Sequence, residues 1–167
     1  MSRRDHVPTQ QAGEYLVAAE LARAGAVCAT FAANVRHFDV IASGPAGYVP
    51  VQVKAKRTGD WQLNIEEFAE VTFHGDKQVI GTPKREPVPG LVFVFVDLKS
   101  YGTDDFFIVD WPVLRDRVVQ RHRDWLAKHG GRRPKNPRSM HTAIGVEALA
   151  DRRGRWDLIG DRLGHAA

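Results

Sequence analysis

Residues 38–56 read FDVIASGPAGYVPVQVKAK. Two β-branched, valine-rich runs flank a Gly-Pro-Ala-Gly turn, the pattern of a hairpin. The first run carries Asp39, and the second carries Gln52, Lys54 and Lys56. Strand alternation places Val49, Val51, Val53 and Ala55 on one face and Pro50, Gln52, Lys54 and Lys56 on the other. In the first run Phe38, Val40 and Ala42 oppose His37, Asp39 and Ile41. Strands this apolar are buried on at least one face, where a carboxylate or an ammonium is costly to desolvate. Asp39, Gln52 and Lys54 therefore need a reason to share a face. Lining a metal site at a sheet edge, where strands diverge, is one such reason.

Upstream, residues 9–25 (TQQAGEYLVAAELARAG) predict a helix that stops near Gly25. At helical spacing Val17, Ala18, Leu21 and Gly25 form one stripe, and Glu14 falls inside it. Glu20 and Arg23 fall on the far side, as surface charges do. Glu14, in the first turn of this helix, is thus a second carboxylate pointing where the core points. Packed on the sheet, the helix carries Glu14 toward the face of Asp39, Gln52 and Lys54.

The rest of the chain supplies a sheet to hold these elements. Residues 26–33 read as a strand, WQLNI at 61–65 as a short one, GLVFVFVDL at 90–98 as a central one, and DFFIVDW at 105–111 as another. The Gly/Pro-rich segment 74–90 reads as a loop. A helix fits from Pro112 to about Lys128, with proline at a favoured first-turn position. The basic loop HGGRRPKNPRSM follows, and two short helices close the chain. The expected architecture is a single α/β domain over residues 1–167, a mixed central sheet flanked by helices, with its core at about 9–111 and a helical, basic part at about 112–167.

Composition narrows the function classes. At 167 residues and 43% hydrophobic content, the chain can build one ordinary core. One cysteine, Cys28, excludes a disulfide framework within the chain and fits a reducing, cytoplasmic setting. The opening MSRRDHVPTQ has no apolar run of the signal-peptide kind, and GLVFVFVDL is too short to span a bilayer. Charge is unevenly spread: residues 58–114 carry 4 basic and 10 acidic side chains, and residues 115–167 carry 13 basic and 6 acidic. A basic surface beside an acidic one suits a polyanionic partner. No nucleotide cofactor is expected, because HGGRRPKNP lacks the Lys-Ser/Thr element of a phosphate-binding loop. The seven histidines form no tight cluster with the lone cysteine, so no zinc site is expected. Trp61, Trp111, Trp125 and Trp156 read as core or interface rather than as base-stacking platforms.

The order GEYLVAAELARAG, FDVIAS, VQVKAK resembles the PD-(D/E)xK nuclease superfamily, in particular its Holliday-junction-resolvase-like and small bacterial branches. The resemblance covers about residues 9–65. It departs from the pattern at two positions: Phe38 replaces the proline before the acid, and Gln52 replaces the acid of the second element. It implies a restriction-endonuclease-like fold and a Mg²⁺-dependent endonuclease acting on DNA, branched or foreign DNA included, with Mn²⁺ as a substitute. Carried over by motif position, Asp39 is the main metal ligand and Glu14 a second. The Gln52 oxygen and the Val53 carbonyl complete the protein's share, and Lys54 orients the attacking water. Lys56, Arg57, Arg132, Arg133, Lys135 and Arg138 are the expected nucleic-acid contacts. A homodimer is implied, since this fold branch often cuts two strands with two copies.

Plainer assignments exist for each residue. Asp39 can be a strand-end acid paired with Arg36 or Lys54, Glu14 can bind backbone amides at a helix start, and Lys54 can be an edge lysine with its head in water. The alternative functions are an inactive nuclease-fold module that binds DNA or protein, and a defence-system inhibitory module that uses the acidic stretch 58–114.

Overall fold

The hairpin of residues 38–56 forms, and the fold grows outward from it. A computed structural model describes residues 3–31 and 36–164. In chain order the elements are α1 (Arg3–Arg23), β1 (Val27–Thr30), β2 (Val40–Gly44), β3 (Gly47–Lys56), β4 (Trp61–Asn64), β5 (Ala69–His74), β6 (Lys77–Pro83), β7 (Val92–Asp97), β8 (Asp105–Asp110), α2 (Trp111–Lys128), β9 (His141–Ile144) and α3 (Asp157–Leu163). Short 3₁₀ segments lie at Ile65–Glu67 and Val146–Arg152.

The main sheet has five strands in the order β1-β2-β3-β7-β8. Only β3 and β7 run parallel, so the sheet is mixed. Val40 pairs with Val51 and Ala42 with Val49, which fixes the face each residue takes. Val40, Ala42, Val49, Val51 and Val53 all point to one side and are fully buried there, with Val92, Val94 and Val96 of β7. Val17 and Leu21 of α1 and Ile159 and Leu163 of α3 cover that side. A one-residue slip of β3 would expose its three buried valines, each worth about 1.5–3 kcal/mol, so the register is strongly held. The other side carries Phe93, Phe95, Phe107 and Val109, covered by α2, β4 and β9. Helices thus flank the central sheet on both faces, the expected α/β class.

Several boundaries differ from the sequence reading. α1 begins at Arg3, six residues earlier, and Pro8 lies inside it. Glu14 is therefore about three turns into the helix, where no free amides remain. Segment 77–83 is not a loop: β6 pairs antiparallel with β5 in a two-stranded ribbon whose register shifts between Ala69 and Val71. The C-terminal part is not wholly helical, because β9 returns to pair with β4 (Trp61 opposite Ile144). The N-terminal strand is shorter than 26–33, and its positions 32 and 33 lie outside the described residues. α1 also packs on the valine face, opposite to Gln52 and Lys54, and reaches the site from the sheet edge.

Candidate active site

β2 ends its pairing with β3 at Val51, where the Asp39 N–H donates to the Val51 carbonyl (2.9 Å). Beyond that point β3 stays paired to β7 on its other edge, through Lys56 opposite Asp97. The edge facing β2 is left with the N–H and carbonyl of Val53 and the N–H of Ala55. Buried backbone groups need partners. Two side chains supply them.

The first is Asp39. Its Oδ2 accepts from the Val53 N–H (2.8 Å) and from Gln52 Nε2 (2.5 Å). The second is Gln10 of α1, whose amide docks on the strand edge as a peptide group would. Its Nε2 donates to the Val53 carbonyl (2.9 Å), and its Oε1 accepts from the Ala55 N–H (3.3 Å). The same Nε2 donates to Glu14 Oε1 (2.9 Å), one helical turn away. This close approach of α1 depends on Gly13: a Cβ there would lie 2.5 Å from that of Ala55.

Glu14, Asp39, Gln52, the Val53 carbonyl and Lys54 thus converge where β2 leaves β3. Burial pushes the Asp39 carboxyl above its ordinary value. The Val53 N–H opposes that rise, the Glu14 charge adds to it, and the Lys54 ammonium opposes it. Arg36 is not a partner of this carboxylate. Just before it, His37 holds a left-handed backbone (φ 78°), a conformation uncommon outside glycine that often marks functional sites.

The donor set at this point is all oxygen, the preference of a hard cation such as Mg²⁺. Asp39 Oδ1 and Glu14 Oε2 take no hydrogen bond among the described residues, while the Gln52 amide turns its Nε2 to Asp39 Oδ2 and to the Val53 carbonyl (3.4 Å), so its Oε1 faces the site only once the amide is turned over. The set is light in charge, with two carboxylates and an amide. Among the described residues no group of three or more His, Cys, Asp or Glu side chains is placed to hold a metal ion.

Cavities lie on both sides of this point. One of about 320 Å³ is lined by Gln52, Phe93 and Trp111. Another, of about 340 Å³, is lined by Gln10, Lys54, Lys56, Arg57 and Asp60. Asp60 also borders a third, of about 410 Å³, with Arg121, Lys128, Arg133 and His141. The basic surface of α2 and its following loop therefore adjoins the Lys54 side.

The expected nucleic-acid contacts fall into two groups. Arg57, Arg132 and Lys135 are exposed. Lys56 is ion-paired with Asp97 (2.8 Å) and lies 4.5 Å from the centre of the Trp61 ring. Arg133 donates to the His141 carbonyl (2.7 Å) and stacks on Trp125, and Arg138 stacks on Phe73. Gln10 escaped the sequence reading. Its signal was there, four residues before Glu14 on one helix face.

No family model matches this chain, and no curated protein matches it. Among solved structures, the bacterial homing endonuclease I-Ssp6803I is similar in fold, with a TM-score of 0.51 over 92% of each chain at 11% identity. None of the described helices is long and apolar enough to cross a membrane.

Proposed function

We propose that this chain is a metal-dependent endonuclease acting on DNA, a PD-(D/E)xK-type enzyme with Gln52 in place of the second acid. The observation that carries the reading is the convergence of Glu14, Asp39, Gln52, the Val53 carbonyl and Lys54 at the point where β2 leaves β3. The likeness in fold to a protein described as a homing endonuclease supports it. So does the basic stretch 115–138, with 9 basic and 2 acidic side chains.

Asp39, Glu14, Gln52 and the Val53 carbonyl would hold Mg²⁺ or Mn²⁺. When bound, such an ion lowers the pKa of a coordinated water and offsets charge on phosphorus and the leaving oxygen. The protein's own part is positioning and electrostatics. Asp39 is fixed in one rotamer by the Val53 N–H and Gln52. Gln10 steers Glu14 from its own anchorage on β3. Lys54, on the Gln52 face of β3, orients the attacking water and meets the charge that develops on the phosphate. Arg57, Arg132 and Lys135 bind the phosphate backbone. Two copies of the chain would cut the two strands.

One observation favours a second reading. The Gln52 amide donates to Asp39 Oδ2, a bond that a DNA-binding module that has lost catalysis could retain. A cleavage panel of duplex, branched and single-stranded DNA in Mg²⁺ and Mn²⁺ separates the two. The proposal expects cleavage that Asp39→Ala and Lys54→Ala each abolish, with folding unchanged. Variants that cut as well as the parent would refute the site. Absence of cleavage with DNA binding intact in EDTA would favour the inactive module.

A further inference from the structure

The cavity on the Lys54 side is open to solvent and one-sided in its hydrogen bonding. It measures about 340 Å³, and the loop between β3 and β4 forms its rim with Arg57, Thr58, Gly59 and Asp60, all of them exposed. Gly59 holds a left-handed backbone (φ 67°), the kind of turn in which successive N–H groups face one concavity. The N–H groups of residues 57–60 donate to no group among the described residues, and neither do the Thr58 hydroxyl and the Arg57 guanidinium. Lys54, on the inner wall, has no hydrogen-bonded partner among them either. The amide side chains that could offer acceptors are engaged: Gln10 Oε1 accepts from the Ala55 N–H (3.3 Å), and Gln62 Oε1 is bonded to His141 Nε2. Lys56 is paired with Asp97 and adds no net charge. The Asp60 carboxylate is the one acid on the rim, and its Oδ1 lies 2.9 Å from where a Cβ of Gly145 would stand, a residue that does not line this cavity. Two cations, a hydroxyl and a run of N–H groups around a concavity suit an anion.

We infer that this loop grips one phosphodiester of the bound strand, the one next to the phosphate to be cut. The inference rests on the preceding reading for which strand that is. Arg57 takes the two non-bridging oxygens in its fork, and the Thr58 hydroxyl and Gly59 N–H donate to them from the loop. Lys54 stands between the two phosphates: it lines this cavity, and its charge also reaches Asp39. The site therefore takes two successive phosphodiesters. A dinucleotide has one and cannot fill both places, so a strand of three nucleotides is the shortest good substrate.

The test uses ¹⁵N-labelled full-length protein in EDTA, titrated with thymidylyl-thymidine, with its uncharged methylphosphonate analogue and with thymidine. The Thr58 and Gly59 amide signals are expected to shift saturably with the phosphodiester and to stay in place with both neutral probes. Arg57→Ala, a change at an exposed residue, should weaken that binding at least threefold. The second arm is cleavage, in Mg²⁺, of oligonucleotides that carry one methylphosphonate placed at successive positions from the cut. One position beside the cut should slow the parent at least tenfold and slow Arg57→Ala less than twofold. Loop signals unmoved by the dinucleotide, or moved equally by its neutral analogue, overturn the inference. So does cleavage that no flanking methylphosphonate slows, or an Arg57→Ala protein that keeps the parent's sensitivity. Because the titration involves no cleavage, a loop response in a protein that cuts nothing would sink the nuclease reading alone. Cleavage without any loop response would sink the loop site alone.

Discussion

At the scale of single residues, two titrating groups carry opposite signs. Burial and Glu14 raise the Asp39 carboxyl above its ordinary value. Its contribution to folding is then fully present below the ordinary carboxylate pKa and is lost as pH rises through the raised one. At neutral pH the metal-free protein therefore bears an unfavourable charge. Asp39→Asn keeps an oxygen for the Val53 N–H and removes that charge. We expect the variant to melt higher than the parent in EDTA at pH 7, with the gap closing as pH falls, and to lose stabilisation by Mg²⁺. Equal melting in EDTA at every pH would contradict this. His122 runs the other way. It is 2% exposed, and burial, with smaller contributions from Arg133 and His141, lowers it to about 4. Gln78 Nε2 donates to the Pro137 and Ser139 carbonyls, which leaves its Oε1 to accept from His122 Nε2–H (3.0 Å). The contribution is present above the unfolded value of 6.5 and is lost as pH falls toward 4, on the order of 3 kcal/mol in all. Denaturant unfolding between pH 7 and 4 should show that loss, and His122→Gln should flatten it.

At the scale of elements, the contact of α1 with β3 decides whether Gln10 and Glu14 reach the site. Gly13→Ala places a methyl 2.5 Å from Ala55 Cβ, so helix or strand must shift. Overpacking of this kind costs about 1–3 kcal/mol. The expected result is a lower melting temperature together with a loss of cleavage of tenfold or more. Adding Ala55→Gly opens the space, and the double variant should recover both. A double variant that recovers stability but not activity would remove α1 from the site. The hairpin, β7, β8 and α2 were legible because their periodicity and turn chemistry agree. The β5–β6 ribbon was not. Its Gly75, Gly81 and Pro83 read as loop residues, yet the ribbon is held from outside, by the bonds of Gln78 to the basic loop and of Arg123 to the Ile80 and Gly81 carbonyls. β9 was equally hidden, since a four-residue strand is set by its partner β4 rather than by its own sequence.

At the scale of the whole molecule, charge is the surface property most easily read from sequence, and the structure refines which charges are free. Arg132 and Lys135 stand in solvent, whereas Arg133 is bonded to the His141 carbonyl and stacked on Trp125. Replacing Arg132 and Lys135 by alanine should weaken DNA binding across sequences and reduce the salt slope by about one per lost contact, without loss of stability. Arg133→Ala should also lower the melting temperature. An unchanged salt slope in the first variant would assign the loop to solubility. The candidate residues Glu14, Asp39, Gln52 and Lys54 were legible because polar side chains stand out in segments otherwise rich in valine and alanine. The Gln10 link and the Trp111 cavity were not, since both arise from tertiary placement of residues ordinary in their own segments.

The central claim, a metal site closed by a neutral amide, is tested most directly by thermal melts of the parent and Gln52→Glu across a Mg²⁺ and Mn²⁺ series. In the parent, Gln52 Nε2 donates to Asp39 Oδ2. The variant sets a carboxylate against that carboxylate, with Glu14 near by. It should melt below the parent in EDTA and gain more from each metal, as binding to the folded state requires. The gain will fall short of the bare Coulomb value of about 4 kcal/mol for a unit charge at about 4 Å and an effective dielectric of about 20, because the new charge is desolvated and repelled. A variant destabilised equally at every metal concentration would show that Gln52 is a structural amide and that no metal sits beside it.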